Sequence, residues 1–199
     1  MKIVLATKNR GKVVELQTLL ADLGVEIIPM DEAGDIPEIV EDGNTFYDNA
    51  MKKALVVSRA TGLVAIADDS GLEVDALDGR PGVYSARYAG DKATDEENYQ
   101  KLLVELKGVP REKRTARFKC VVVAYRPDGK WITSQGSCEG HIADKPRGEH
   151  GFGYDPVFIP EGHSRTMAEL SRDEKNSISH RGMALKALKE KLRDFLKDQ

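Results

Sequence analysis

Leu63-Val64-Ala65-Ile66-Ala67-Asp68-Asp69-Ser70-Gly71 is an apolar run that ends in two adjacent carboxylates. A short apolar stretch containing β-branched residues reads as a buried strand. Side chains alternate between the faces of a strand, so Asp68 and Asp69 should diverge, one into a cleft and the other supporting a turn. A carboxylate at a strand end is placed to hold a hard cation such as Mg²⁺ or to act as a base toward water. Asp-Asp-Ser-Gly is also the composition of an ordinary turn. With a turn there, Leu72-Glu73-Val74 would carry the strand on beyond it.

Outward from this run the apolar pattern alternates between strand and helix. Residues 2–6 read as a buried strand and residues 7–12 as a loop. A helix follows, with Val13, Leu16, Leu20 and Leu23 on one face and Gly24 at its end. Residues 25–29 form a second strand, and residues 31–43 are acidic and rich in turn formers. Thr45 and Asp48 have capping-box spacing, which starts a helix with Phe46, Ala50, Ala54 and Val57 facing inward. Past the central run, residues 78–90 form a loop rich in glycine and proline. Thr94 and Glu97 cap a helix that carries Tyr99, Leu102, Leu103 and Leu106. Residues 118–125 and 131–137 read as a hairpin joined by Pro127-Asp128-Gly129. Residues 148–155 are a glycine-rich loop before a short strand, Val157-Phe158-Ile159. Ser171 and Glu174 cap a final helical region striped by Leu185, Leu188, Leu192 and Phe195. The pattern predicts an α/β protein with a mixed sheet and functional loops at strand ends.

The chain has 199 residues, of which 40% are hydrophobic and 32% charged, with a formal net charge of -3. That balance belongs to a globular protein able to bury a core, and argues against a general nucleic-acid coating protein, which would be basic. A small anionic substrate needs only a local cationic pocket. Cys120 and Cys138 lack metal-ligand spacing and read as reduced, partly buried thiols. Met1-Lys2-Ile3-Val4-Leu5 is too short an apolar start for a signal peptide, and no apolar run approaches a membrane span, so a cytoplasmic location is expected. His150 and His163 read as surface residues.

Four constellations could carry chemistry. Thr7-Lys8-Asn9-Arg10-Gly11-Lys12 puts three cations at the entry to a helix, whose free N–H groups and positive dipole end suit phosphate. It lacks the second glycine and the Lys-Ser/Thr pair of a Walker loop. Glu41 and Asp69 together could supply carboxylate oxygens to Mg²⁺. Gly151-Phe152-Gly153-Tyr154-Asp155-Pro156 combines close backbone approach, an aromatic able to stack on a nucleobase, and an acceptor for base N–H groups. Lys175-Asn176-Ser177-Ile178-Ser179-His180-Arg181-Gly182 groups a cation, an amide, hydroxyls, an imidazole and a guanidinium beside a glycine.

Together these segments resemble the inosine triphosphate/xanthosine triphosphate pyrophosphatases, the house-cleaning nucleotide hydrolases. The resemblance also takes in Val40-Glu41-Asp42-Gly43, Thr45-Phe46, Asn49-Ala50 with Lys53-Ala54, Ala67 to Leu72, and Pro81-Gly82-Val83-Tyr84-Ser85-Ala86-Arg87-Tyr88. It spans nearly the whole chain in order. It implies an elongated mixed sheet flanked by helices, with two lobes of a single domain over residues 1–199 and a central nucleotide cleft. It also implies a homodimer and Mg²⁺-dependent hydrolysis of ITP, dITP or XTP to the monophosphate and pyrophosphate. By the match, Asp69 is the catalytic carboxylate and a metal ligand, and Glu41 the other metal ligand. Thr7, Asn9, Lys12 and Ser70 match triphosphate-contacting positions, joined by Lys53, and Lys8, Arg10 and Gly11 of the same loop are expected to bind substrate with them. Phe152 matches the base-stacking aromatic and Asp155, Lys175, His180 and Arg181 the base-recognition set, with Gly153 and Tyr154 of the same loop expected to bind substrate. Lys8 stands where many relatives have glycine, which alters the loop's charge.

Donors from His180, Arg181 or backbone N–H would suit the C6 carbonyl of hypoxanthine or xanthine and oppose the amino group of adenine. Guanine shares that carbonyl, and no feature of the sequence explains its rejection. A pyrimidine nucleotide pyrophosphatase of the Maf type and a non-catalytic nucleotide-binding module are the competing readings. The segments around Phe152 and Arg181 argue against the first, and the Asp68-Asp69 pair with Glu41 against the second.

Overall fold

The computed structural model describes residues 1–197. Its main elements are β1 (Lys2–Leu5), α1 (Arg10–Leu19), β2 (Glu26–Pro29), α2 (Phe46–Thr61), β3 (Val64–Val74) and α3 (Asp95–Glu105), then β4 (Thr115–Tyr125), β5 (Trp131–Ile142), β6 (Phe158–Pro160), α4 (Arg172–Ile178) and α5 (His180–Lys197). The strands form one sheet in the order β2-β1-β3-β4-β5-β6. β1 is parallel to β2 and to β3, and β6 is antiparallel to β5, so the sheet is mixed as the pattern predicts.

The chain divides into two compact units. The first contains Met1–Asp69, Cys120–Gly136 and the chain from Met183 on; the second contains Ser70–Lys119 and Ser137–Gly182. In the first, Ile3, Leu5, Val64, Ile66, Val122 and Ala124 face a core shared with Leu16 and Leu20 of α1 and with Leu185, Leu188 and Leu192 of α5. The alternate residues Val4, Ala65, Ala67 and Val123 face the opposite way, where α2 brings Ala50, Ala54 and Val57. The small alanines let α2 lie close to the sheet. In the second unit, Leu72, Val74, Leu102, Leu106, Ile142, Val157, Phe158 and Met167 form a core of their own. Burying a side chain of this size contributes roughly 1.5–3 kcal/mol.

Four expectations are corrected. There is no turn at Asp68-Asp69-Ser70-Gly71: β3 runs unbroken from Val64 to Val74. Pairing within a sheet overrides the turn preference of Asp, Ser and Gly. The first helix ends at Leu19, and Ala21–Leu23 form a 3₁₀ turn before Gly24 in the left-handed region at φ 65°. The final helical region is two helices. Ser179 is extended (φ -64°, ψ 123°) and its hydroxyl accepts from the Gly182 N–H at 3.2 Å, capping the start of α5. His180 and Arg181 therefore lie in the first turn of α5. The β4 and β5 strands are also longer than their apolar segments. Arg117, on β4, pairs with Glu139, on β5, and with Asp75, so charged residues occupy added strand positions.

Candidate active site

In the first unit the unbroken β3 delivers Asp68 and Asp69 to opposite faces of the sheet. Asp68 lies on the α1 side, where its Oδ2 accepts from Lys12 Nζ at 2.8 Å with its side chain only 5% exposed. Asp69 lies on the α2 side. Its Oδ2 accepts from Asn49 Nδ2 at 3.0 Å, and its Oδ1 is 3.6 Å from Lys53 Nζ. The same ammonium donates to Glu41 Oε2 at 2.8 Å. Glu41, Lys53 and Asp69, far apart in the chain, thus converge. Asn49 and Lys53 share the inner face of α2 because they are one turn apart. The Thr45–Asp48 capping box, with both bonds at 3.1 Å, fixes where that helix starts.

This convergence changes the chemistry of Asp69. Burial pushes its carboxyl up to about 6, reinforced by the facing Glu41 carboxylate and opposed by Lys53 and the Asn49 amide. Among the described residues no group of three or more His, Cys, Asp or Glu could hold a metal ion. The carboxylates that meet here are Glu41 and Asp69. That donor set fits Mg²⁺, which takes one or two carboxylates and fills its remaining positions with water and substrate phosphate.

The loop before α1 is more occupied than its sequence suggests. Asn9 is the N-cap, and its Oδ1 accepts from the N–H groups of Gly11 at 2.9 Å and Lys12 at 3.3 Å. Thr7 Oγ1 accepts from the Asn9 N–H at 3.1 Å. Arg10 is turned to Asp31 and Glu32, at 3.0 and 2.9 Å. Lys8 is exposed, and Lys12 is held by Asp68. Two of the helix's first N–H groups are thus already capped, so a phosphate here would rely on the lysine side chains more than on bare backbone donors. Ser70, which belongs to the second unit, is exposed.

In the second unit residues 151–155 fold over a buried carboxylate. Asp155 is 3% exposed, and its Oδ2 accepts from the Phe152 N–H at 2.9 Å and from the Lys175 ammonium. Burial pushes the Asp155 carboxyl up, and Lys175 pulls it down. A Cβ on Gly151 (φ 90°) would collide with that carboxylate, so this glycine makes room for Asp155. Gly153 donates its N–H to Asp95 Oδ2 at 2.7 Å. Phe152 is 72% exposed with Lys175 Nζ 4.4 Å from its ring centroid. Tyr154 turns inward and donates to the Ser85 carbonyl at 2.7 Å. Its ring is not presented to solvent, unlike that of Phe152. His180 stacks on Phe118, with centroids 5.1 Å apart and an interplanar angle of 12°. Arg181 follows it, half-buried.

A sequence model of the Ham1 family matches residues 3–191. The chain belongs to the Ham1 family. A dITP/XTP pyrophosphatase of Desulforamulus reducens is 55% identical over 94% of this chain and 92% of its own length. One of Geobacter sulfurreducens is 52% identical over 96% of each. Among solved structures, a HAM1 protein from Coxiella burnetii superposes with a TM-score of 0.92 at 46% identity, covering 98% of this chain and 99% of the other. Asn49 and Asp68 lie in segments that carry the sequence resemblance but had no binding role there; the geometry makes them direct partners of Asp69 and Lys12. Asp95 and Ser85 likewise brace the loop around Phe152. A sequence signal for Asn49 existed in its spacing from Lys53 on a capped helix. None existed for Asp95, whose partner is 58 positions away.

Proposed function

We propose that this chain hydrolyses non-standard purine nucleoside triphosphates, ITP, dITP and XTP, to the monophosphate and pyrophosphate, as a cytoplasmic homodimer. The observation that carries the reading is the meeting of Glu41 and Asp69 at Lys53, with Asp69 raised to about 6, in a chain of this family. Water bonds to the α-phosphorus, the bond from that phosphorus to the α–β bridging oxygen breaks, and pyrophosphate leaves with the bridging oxygen. Asp69 takes the proton from the attacking water, a general-base role that contributes roughly 10²–10⁴ in rate. Lys53 and Lys12 supply positive charge toward the phosphates, preorganised by their carboxylate partners. Glu41 and Asp69 would hold Mg²⁺, which when bound neutralises charge on the triphosphate and on the departing pyrophosphate.

The two units carry different chemistry. The first carries the carboxylates and lysines suited to a polyphosphate. The second carries an exposed aromatic ring, Phe152, beside Lys175, with His180 and Arg181 at the start of α5. A base stacks on such a ring, and a guanidinium donates to a C6 carbonyl. The test is a panel of ITP, XTP, dITP, GTP, ATP, UTP and dTTP with Mg²⁺. Equal amounts of monophosphate and pyrophosphate from the inosine and xanthosine nucleotides are expected. Stepwise release of orthophosphate, or preferential turnover of UTP and dTTP, would overturn the proposal.

A further inference from the structure

Asn49 is 1% exposed, in the first turns of α2, and neither end of its amide is idle. Its Oδ1 accepts from the Gly43 N–H at 2.8 Å, and its Nδ2 donates to Asp69 Oδ2 at 3.0 Å. The backbone dictates this orientation. The Gly43 N–H can only donate, so the amide oxygen must face it, and the amide nitrogen must then face the carboxylate. Gly43 is two residues beyond Glu41, so one side chain ties the Glu41 segment to Asp69. The approach is as close as glycine allows: a Cβ at Gly43 would lie 2.7 Å from Asn49 Oδ1 and 2.7 Å from Asp48 Cβ. Asp69 is thereby held at one oxygen by an amide and faces the Lys53 ammonium with the other.

We propose that Asn49 is a positioning residue for the hydrolysis, which orients the Asp69 carboxylate and sets its distance from Glu41. The inference rests on the proposed function and deepens it. No other side chain of this size provides an acceptor and a donor on opposite ends. Aspartate would keep the bond to Gly43 but set a third carboxylate against Asp69. Alanine would release both groups and leave the part-buried Gly43 N–H and a carboxylate oxygen without the amide that now pairs them. Neighbours that orient a ligating carboxylate typically matter by about 10–100-fold in activity or metal affinity. The two hydrogen bonds of the Asn49 amide go to Gly43 and Asp69, at the carboxylate end, so substrate binding should be spared.

Three variants test this: Asn49→Ala, Asn49→Asp, and Gly43→Ala, which would push on the amide without altering it. Turnover of ITP is measured over a Mg²⁺ series. Mn²⁺ binding to the nucleotide-free proteins is followed by electron paramagnetic resonance, and folding by thermal unfolding. The expected result is a kcat lower by about 10–100-fold with KM for ITP changed by less than about threefold, and Mn²⁺ affinity about tenfold weaker in Asn49→Ala. Where Asn49→Ala does not fold, Asn49→Asp and Gly43→Ala decide. Folded variants with wild-type kcat and Mn²⁺ affinity overturn the role. So does a raised KM with unchanged kcat, which would make Asn49 a substrate contact. If the wild-type protein releases pyrophosphate from no triphosphate, the proposed function fails instead, and the Mn²⁺ measurement alone judges Asn49.

Discussion

Asp69 is kept where ionisation is unfavourable. Its carboxyl, ordinarily near 3.8, is raised to about 6 chiefly by burial, and the Lys53 ammonium and Asn49 amide only partly offset this. A carboxyl raised in the folded state adds stability that is fully present below the unfolded pKa. That stability is lost as the pH rises through the folded value. For Asp69 the window runs from about 3.8 to about 6, and the full shift corresponds to an order of 2–3 kcal/mol. Asp69→Asn keeps an oxygen to accept from Asn49 and removes the charge. Without divalent cations this variant should therefore unfold at higher denaturant than the wild type at pH 8, and the difference should fade toward pH 4. Denaturant titrations with a chelator at several pH values check this; an Asp69→Asn variant less stable than wild type at pH 8 would refute it. The same substitution should lower kcat by roughly 10²–10⁴, the contribution of a positioned general base. Stability gained where activity is lost is the signature of a site built for chemistry.

Elements whose ends are written locally were legible, and those decided by distant partners were not. The capping boxes at Thr45–Asp48, Thr94–Glu97 and Ser171–Glu174 each sit within four residues, and all three start the helix they mark. The continuity of β3 through Asp68-Asp69-Ser70-Gly71 depends on strands that flank it in the sheet, so local turn preference misled. Ser179 reads equally as helix interior or N-cap until the course of the chain selects one. Within the site, the pairing of Asp69 with Glu41 followed from the family pattern. The anchoring of Lys12 by Asp68, 56 positions away, had no local signal. The loop from Gly151 to Asp155 gives an element-level test. Gly151 has φ 90° and no room for a Cβ beside the Asp155 carboxylate. Gly151→Ala should displace Asp155 from the Phe152 N–H and from Lys175 and so free the aromatic ring to wander. The positive φ alone disfavours alanine by about 1–2 kcal/mol. KM for ITP should rise about tenfold or more with kcat much less affected. A KM unchanged in a folded variant would show that Phe152 does not meet the base.

At the scale of the whole molecule, the proposed function assigns different contacts to residues of the two units, and this makes substitutions in them distinguishable. Every triphosphate presents the same phosphates to the first unit. Lys12→Ala and Lys53→Met should therefore lower kcat/KM for ITP and for ATP by the same factor. Phe152 offers a face that any purine can stack on, so Phe152→Ala should also lower both together, by roughly 1–3 kcal/mol of binding. Arg181 is different. Its guanidinium is a donor with no acceptor capacity, satisfied by a C6 carbonyl and opposed by an amino group. Losing that charged hydrogen bond should cost about 1.5–3 kcal/mol for ITP, a factor of roughly 10–100, while ATP, which never makes it, should lose far less. Arg181→Ala should thus narrow the preference for ITP mainly by reducing ITP turnover. The measurement is kcat/KM for both nucleotides in all four variants. Equal losses in Arg181→Ala would move Arg181 to the phosphates or to the packing of α5. Unequal losses in Lys53→Met would mean that base identity is read through the carboxylate end, and the division of labour between the units would be wrong.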